Sequence, residues 1–430
     1  MDTSTPKIAE NPKTILLRIL KLLAISLPVG FLAGSASAFF LWTLNWVTNY
    51  RESHLWLIAL LPLGGLAIGL TYHYFGKSVV KGNNLLLEEF HSPKQIIPFK
   101  MAPLVLFGTL VTHLVGGSAG REGTAVQMGG AIADLFTKWF RLTHHDRKPL
   151  LIMGISAGFA SVFGTPLAGA VFALEVMALA RVKLWYLIPS LAVAYIAHYT
   201  CTLYPVTHTH YHITEVPQIT AANMLYATGC AVLFGLAAML FSKTVHFFSA
   251  QFKTFITYPP LRPVVGGFVL ATVIWAMGTT KYIGLGVPTI VESFTTTQPP
   301  YAFLIKLLLT TFTLGAGFKG GEVTPLFFIG ATLGSALFLV VPLPISLLAG
   351  MGFVAVFSGA THTPLACTLM GMELFGTQPG LYLGLVCAVA YFFSGSTGIY
   401  SSQHVGGAKR YVYNKIKSAA DFTRRDENKR

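Results

Sequence analysis

Gly116-Gly117-Ser118-Ala119-Gly120-Arg121-Glu122-Gly123-Thr124, continued by Ala125-Val126-Gln127-Met128-Gly129-Gly130, interrupts two apolar runs, Met101 to Val115 and Ala131 to Phe136. An arginine and a glutamate so placed lie at or near bilayer depth, where an ionisable group is costly and marks a functional site. The glycines break the incoming helix and let backbone amides approach a ligand closely. Helix resumes behind them, so Glu122 is expected near an N-terminus whose free N–H groups and dipole favour an anion. Protonated, this carboxylate leaves the anion site; ionised, it competes for it. That alternation suits coupled traffic of anions and protons. The structural alternative is a Glu122 held in a salt bridge by its neighbour Arg121.

Working outward, the chain has 53% hydrophobic and 11% charged residues, whereas a soluble domain carries about a quarter charged residues. Leu22 to Tyr50, Leu150 to Leu174, Pro263 to Thr280 and Val323 to Met372 contain no Asp, Glu, Lys or Arg. The last exceeds the roughly 20 residues of one crossing. With 42 Gly and 23 Pro in the chain, many helices should be short or interrupted. The alternation of a transmembrane β-barrel is absent. The expected fold is an all-α polytopic membrane protein. The net charge of +14 gathers before the first apolar run (Lys7, Lys13, Arg18, Lys21) and after the last, from Lys409 to Arg430. The positive-inside rule then puts both termini in the cytoplasm. Nucleic-acid binding is excluded as the role of that basic tail, because no folded module accompanies it. The first apolar run is too long for a signal-peptide core and is expected to be retained. Cys201, Cys230, Cys367 and Cys387 have no paired spacing and read as buried fillers.

The two halves of the chain resemble each other. Thr165-Pro166-Leu167-Ala168 is followed by Glu175, and Thr363-Pro364-Leu365-Ala366 by Glu373 at the same interval, an offset of 198 residues. From Gly117 that offset leads to Gly315-Ala316-Gly317-Phe318-Lys319-Gly320-Gly321-Glu322-Val323-Thr324-Pro325, a second glycine-rich turn with a basic residue and a glutamate. The Gly82 turn, Lys81-Gly82-Asn83-Asn84, has a counterpart in Gly284-Leu285-Gly286. Broken helices at matching places in two halves point to a transporter site at the repeat interface. The organisation expected is a polar tail (1–14), a first membrane half (15–205), an inter-repeat loop (206–220), a second half (221–405) and a basic tail (406–430). The halves are inverted if each crosses an odd number of times. In Thr165-Pro166, Thr324-Pro325 and Thr363-Pro364, threonine caps the free N–H groups and proline suits the first helical position. Three such starts would aim positive dipole ends at the interior. Glu322 is a second proton site or, alternatively, a partner for Lys319.

Two other chemistries were weighed. Gly116-Gly117-Ser118-Ala119-Gly120 fits the Gly-x-Ser-x-Gly pattern of serine hydrolases with His113 nearby, but that pattern needs a strand-turn-helix elbow. An intramembrane hydrolase is the remote alternative, and no enzymatic activity is expected. His208, His210 and His212 share a face of an extended strand and could hold a metal; a solvated loop between the halves is the reading preferred. Glu175 and Glu373 are expected to hold helix ends.

Gly120-Arg121-Glu122-Gly123 resembles the gating-glutamate motif of the CLC family of chloride channels and anion/proton antiporters. Gly320-Gly321-Glu322-Val323-Thr324-Pro325 is similar to that family's second anion-binding loop. Tyr400 falls where the family carries an anion-coordinating tyrosine, and Pro166-Leu167-Ala168-Gly169 to Glu175 matches a further segment. The resemblance spans about residues 15 to 405. In place of the family's Gly-Ser-Gly-Ile-Pro loop stands Gly82-Asn83-Asn84-Leu85-Leu86, and Thr124 replaces a proline. Val176 stands where chloride/proton exchangers often carry a proton-transfer glutamate. Together with Val323-Thr324, these departures resemble the bacterial fluoride/proton antiporters. The resemblance implies a homodimer of inverted repeats, with one anion pathway in each subunit and no cofactor. It implies fluoride export from a bacterial cytoplasm through the inner membrane, driven by protons, with chloride/proton exchange or a passive anion channel as alternatives. Glu122 is the implied gate and proton carrier, helped by Glu322. Asn83, Gly120, Arg121, Gly123, Val323, Thr324 and Tyr400 are the implied anion site, with the Asn83 carboxamide offering N–H donors at the serine position.

Overall fold

The computed structural model describes residues 12–177, 183–403 and 409, without the side chains of His144 and His145. Most of the expected polar tail and, apart from Lys409, the basic tail lie outside the described residues. Among the described residues there are sixteen α-helices and no strand. In chain order they are α1 (Pro12–Ser53), α2 (Leu61–Tyr74), α3 (Asn83–His91), α4 (Met101–Leu114), α5 (Glu122–Trp139), α6 (His144–Phe163), α7 (Pro166–Val176) and α8 (Leu187–Thr202). The second eight are α9 (Ala221–Phe255), α10 (Leu261–Met277), α11 (Val287–Glu292), α12 (Ala302–Gly315), α13 (Val323–Leu337), α14 (Ile345–Thr361), α15 (Pro364–Phe375) and α16 (Gly380–Phe393). Each element of the first set has its counterpart in the second, short for short and long for long.

Length follows from composition. α1, α9 and the run Leu55–Tyr74 are long and apolar enough to cross a membrane. At 1.5 Å per residue the 42 residues of α1 reach about 63 Å, roughly twice the hydrocarbon thickness. Many of the others are apolar but only 10–17 residues long, as glycine and proline between them require. These short helices end inside the protein, where their free N–H groups must find partners. α13 and α14 are buried along nearly their whole length. They touch backbone to backbone, since a Cβ on Gly330 would overlap the Gly352 carbonyl. α5 and α6 meet the same way through Gly129 and Gly154. Small residues at the crossing supply the close packing that hydrocarbon solvent cannot drive.

The halves are related by a twofold axis, visible in two reciprocal contacts. Gly120 and Gly321 form an isolated antiparallel bridge, with N–H to carbonyl distances of 2.6 and 2.7 Å. α5 and α13 start from opposite sides of it and run apart. Glu175, at the end of α7, accepts from Leu365 N (3.1 Å) and Ala366 N (2.8 Å) at the start of α15. Glu373, near the end of α15, accepts from Leu167 N (3.0 Å) and Ala168 N (2.8 Å) at the start of α7. Counterpart helices running in opposite directions make this an inverted repeat.

Two expectations need correction here. The hydroxyls of Thr165 and Thr363 make no capping bond to their helices; the glutamates of the opposite half occupy those N–H groups instead. The starts of α7 and α15 are therefore spent on each other and do not face an anion site. The offset of 198 residues holds for the Thr-Pro starts but is 201 at the glycine turns, since Gly120 pairs with Gly321. In that register Glu322 corresponds to Arg121, not to Glu122: the two are the residues preceding α13 and α5.

Candidate functional site

Where the two glycine turns meet, the bridge demands residues without side chains. A Cβ on Gly120 would come within 2.9 Å of both the Gly321 carbonyl and Pro325 Cδ, and one on Gly321 within 2.7 Å of Gly123 N. Gly320 has a φ of 155° and lies against Ala119. Only glycine fits such an approach. The Ser118 hydroxyl anchors the turn, 3.1 Å from the Tyr282 carbonyl, to which it donates, and 2.8 Å from Thr310 Oγ1.

Glu122 opens α5 and is 1% exposed. Its Oε2 accepts from Thr324 N at 3.0 Å and from Arg121 N at 3.1 Å, and its Oε1 accepts a short hydrogen bond from Thr324 Oγ1. Thr324 is the second residue of α13, so the carboxylate lies on that helix's free N–H groups and positive dipole end. The expected neighbour Arg121 contributes an ion pair of 3.7 Å, with Nε making no hydrogen bond. The dominant partners of Glu122 are thus donors from the other half of the chain, 202 residues away. Glu122, Thr324, Phe163, Phe327 and Phe353 bound one small pocket, and Phe327 stacks on Phe353 at 3.8 Å. These rings exclude water and keep the local dielectric low.

Two cavities lie near this point. The upper one, about 510 Å³, lies where α1 ends and is lined by Arg51, Arg121, Thr209 and Lys281. The lower one, about 160 Å³, lies beside Tyr72 and is lined by Asn83, Gln127, Lys319, Glu322 and Tyr400. Arg121 lines both the upper cavity and the small pocket at Glu122, while Gly320 lines the lower cavity. The residues expected to form one anion site therefore divide. Arg121, Glu122 and Thr324 border the small pocket, and Arg121 lines the upper cavity as well. Asn83, Glu322 and Tyr400 belong to the lower cavity. Gly120, Gly123 and Val323 lie between, Val323 as the buried first residue of α13.

Gly123 leaves open the space between Asn83 and Glu322: a Cβ there would sit 3.0 Å from Asn83 Nδ2 and 3.6 Å from Glu322 Oε2. Asn83 Oδ1 and Glu322 Oε2 are buried without a hydrogen-bond partner, which is costly unless a ligand or proton completes them. The Lys319 alternative for Glu322 is not realised, since the ammonium lies 4.2 Å over the Tyr72 ring. From the sequence Lys319 is only a possible partner for Glu322, and Gln127 has no assigned role. Helical spacing could have found Gln127, which follows Gly123 by one turn of α5 and so shares its face.

Two weaker candidates resolve. Ser118 makes no bond to His113, whose ring nitrogens have no partner, and a helix, not a strand, leads into the turn. His208 Nε2 lies 2.9 Å from the Ser161 carbonyl, and no metal-binding cluster occurs among the described residues.

The profile of the family described as voltage gated chloride channel matches residues 64–395. A chloride/fluoride channel protein of Pseudomonas syringae pv. tomato is 51% identical over 399 residues, covering 91% of this chain and 88% of that protein. The crystal structure of a CLC-type fluoride/proton antiporter superposes with a TM-score of 0.87 at 36% identity, covering 90% of this chain and 98% of that one. A slow cyanobacterial Cl−/H+ antiporter, 22% identical with a TM-score of 0.74, covers 91% of this chain and 97% of its own, and shares the fold.

Proposed function

The chain belongs to the voltage-gated chloride channel (CLC) family, and from that membership we propose that it exchanges anions for protons, exporting fluoride from a bacterial cytoplasm. The observation that carries this reading is the Glu122 carboxylate seated on Thr324 N and Thr324 Oγ1 at the start of α13. A carboxylate held by donors of that kind stands in for a small anion. When an anion takes the donors, Glu122 must leave them, and in the proposed cycle it leaves carrying a proton. One side chain then gates the path and moves the proton.

Fluoride is the anion we favour. It is small and strongly hydrated, so it needs compact donors at close range, such as a threonine hydroxyl, backbone N–H groups and the Asn83 carboxamide. Two similar proteins are a chloride/fluoride channel protein and a fluoride/proton antiporter, which supports the same choice. We assign the upper cavity to the periplasm and the lower one to the cytoplasm, with both termini cytoplasmic, on the distribution of basic residues. Glu322, facing the lower cavity, passes the proton on. We take the working unit to be a homodimer with a separate pathway in each subunit and no cofactor, and we assign the protein no enzymatic chemistry.

Purified protein in liposomes tests the proposal. An outward fluoride gradient should drive protons inwards against their own gradient. Chloride, but not fluoride, driving protons would replace this reading by chloride/proton exchange. Anion flux without proton movement would make the protein a passive channel.

A further inference from the structure

The lower cavity contains a polar group with no role so far. Gln127 lies on α5, 8% exposed, and lines this cavity. Its position is fixed by the packing of α5 on α3. Gly130 accommodates Leu86, and Gly82, with a φ of 57°, leaves its Cβ position 3.2 Å from Gln127 Oε1 and 3.3 Å from Nε2. The carboxamide therefore lies against the Gly82 turn, in the lining of the cavity that Asn83, Lys319, Glu322 and Tyr400 share.

We propose that Gln127 is a specificity-determining residue of this pathway, supplying with Asn83 the amide donors that replace fluoride's water on the cytoplasmic side. This rests on the fluoride/proton reading above. The chemistry is complementary. Each carboxamide offers two N–H donors, while Glu322, when ionised, offers only acceptors and repels an anion. Lys319, held over Tyr72 at 4.2 Å, draws anions into the cavity by charge and does not discriminate between them. Discrimination then falls to the amides, since a site built to hydrogen-bond a ligand selects strongly by those bonds. Fluoride, which loses most on dehydration, depends on them more than chloride does.

The test compares fluoride and chloride efflux from liposomes for the wild type, Gln127→Met and Gln127→Asn. Methionine fills the same space without donors. Fluoride efflux should fall about tenfold with chloride efflux changed by no more than about twofold, corresponding to loss of one or two net hydrogen bonds. Asparagine keeps the amide but withdraws it, and should give a smaller fall of the same selectivity. If Gln127→Met does not elute as a monodisperse protein, Gln127→Asn decides. A fluoride-to-chloride ratio equal to the wild type's in the folded variant would overturn the role of Gln127. Fluoride-driven proton uptake is recorded on the same wild-type vesicles; its absence removes the exchange reading and this inference together, whereas its presence with an unchanged ratio removes this inference alone.

Discussion

Glu122 and Thr324 face each other across the interface of the two halves, and each is explained by the other. Glu122 could be picked out in the sequence because an acid among glycines between apolar runs has few structural uses. What it touches could not, because Thr324 is 202 residues away and nothing local specifies the pairing. We predict that Glu122→Gln, which keeps the shape but cannot carry a proton, leaves anion flux measurable and abolishes proton movement with it. Thr324→Val removes the hydroxyl and keeps the backbone N–H. Fluoride efflux should drop by about an order of magnitude, the worth of a hydrogen bond to a charged group, read by a fluoride electrode outside loaded vesicles. Unaltered efflux would show that the hydroxyl serves the resting gate and not the ion. Helical spacing puts Gln127 on the Gly123 face of α5, but a glutamine on a helix reads as any polar residue until the Gly82 turn is placed against it.

Among the elements, the short helices follow from the sequence and their partners do not. The Thr-Pro starts of α7 and α15 were recognised, yet threonine was given the capping role that glutamates from the opposite half perform. The repeat spacing also shifts from 198 to 201 residues between the Thr-Pro starts and the glycine turns, so one offset could not align both. The consequence concerns stability and not transport. Glu175→Leu should strip two N–H groups of α15 of their acceptor, at about 1–3 kcal/mol for the buried one at Ala366. The melting temperature in detergent should fall while the fluoride-to-chloride efflux ratio of the folded fraction stays as in the wild type. Gly330→Val should be more damaging, since its side chain would have to displace the Gly352 backbone; we expect little monodisperse protein on size exclusion. Ordinary yield and stability of that variant would contradict the backbone contact between α13 and α14.

For the whole molecule, the inverted repeat leaves two dissimilar cavities near the glycine bridge. Twofold symmetry puts a residue at the same place before α5 and α13, and the sequence breaks that symmetry by charge: Arg121 faces the upper cavity, Glu322 the lower. On the proposed route an anion arriving from below would pass Lys319 and Asn83 before it meets Glu122. The membrane class and the paired halves were legible from hydropathy and motif order, because both are properties of the chain itself. The division of the anion site between two levels was not, since it depends on how α3 and the residues around Tyr400 approach the start of α13.

One measurement bears most directly on a carboxylate that alternates with an anion at the start of α13. Wild-type and Glu122→Gln proteins are placed in liposomes under an outward fluoride gradient, and the internal pH is followed. The wild type should acidify the lumen against an opposing proton gradient, and Glu122→Gln should release fluoride with no pH change. Undiminished acidification by Glu122→Gln would contradict the account.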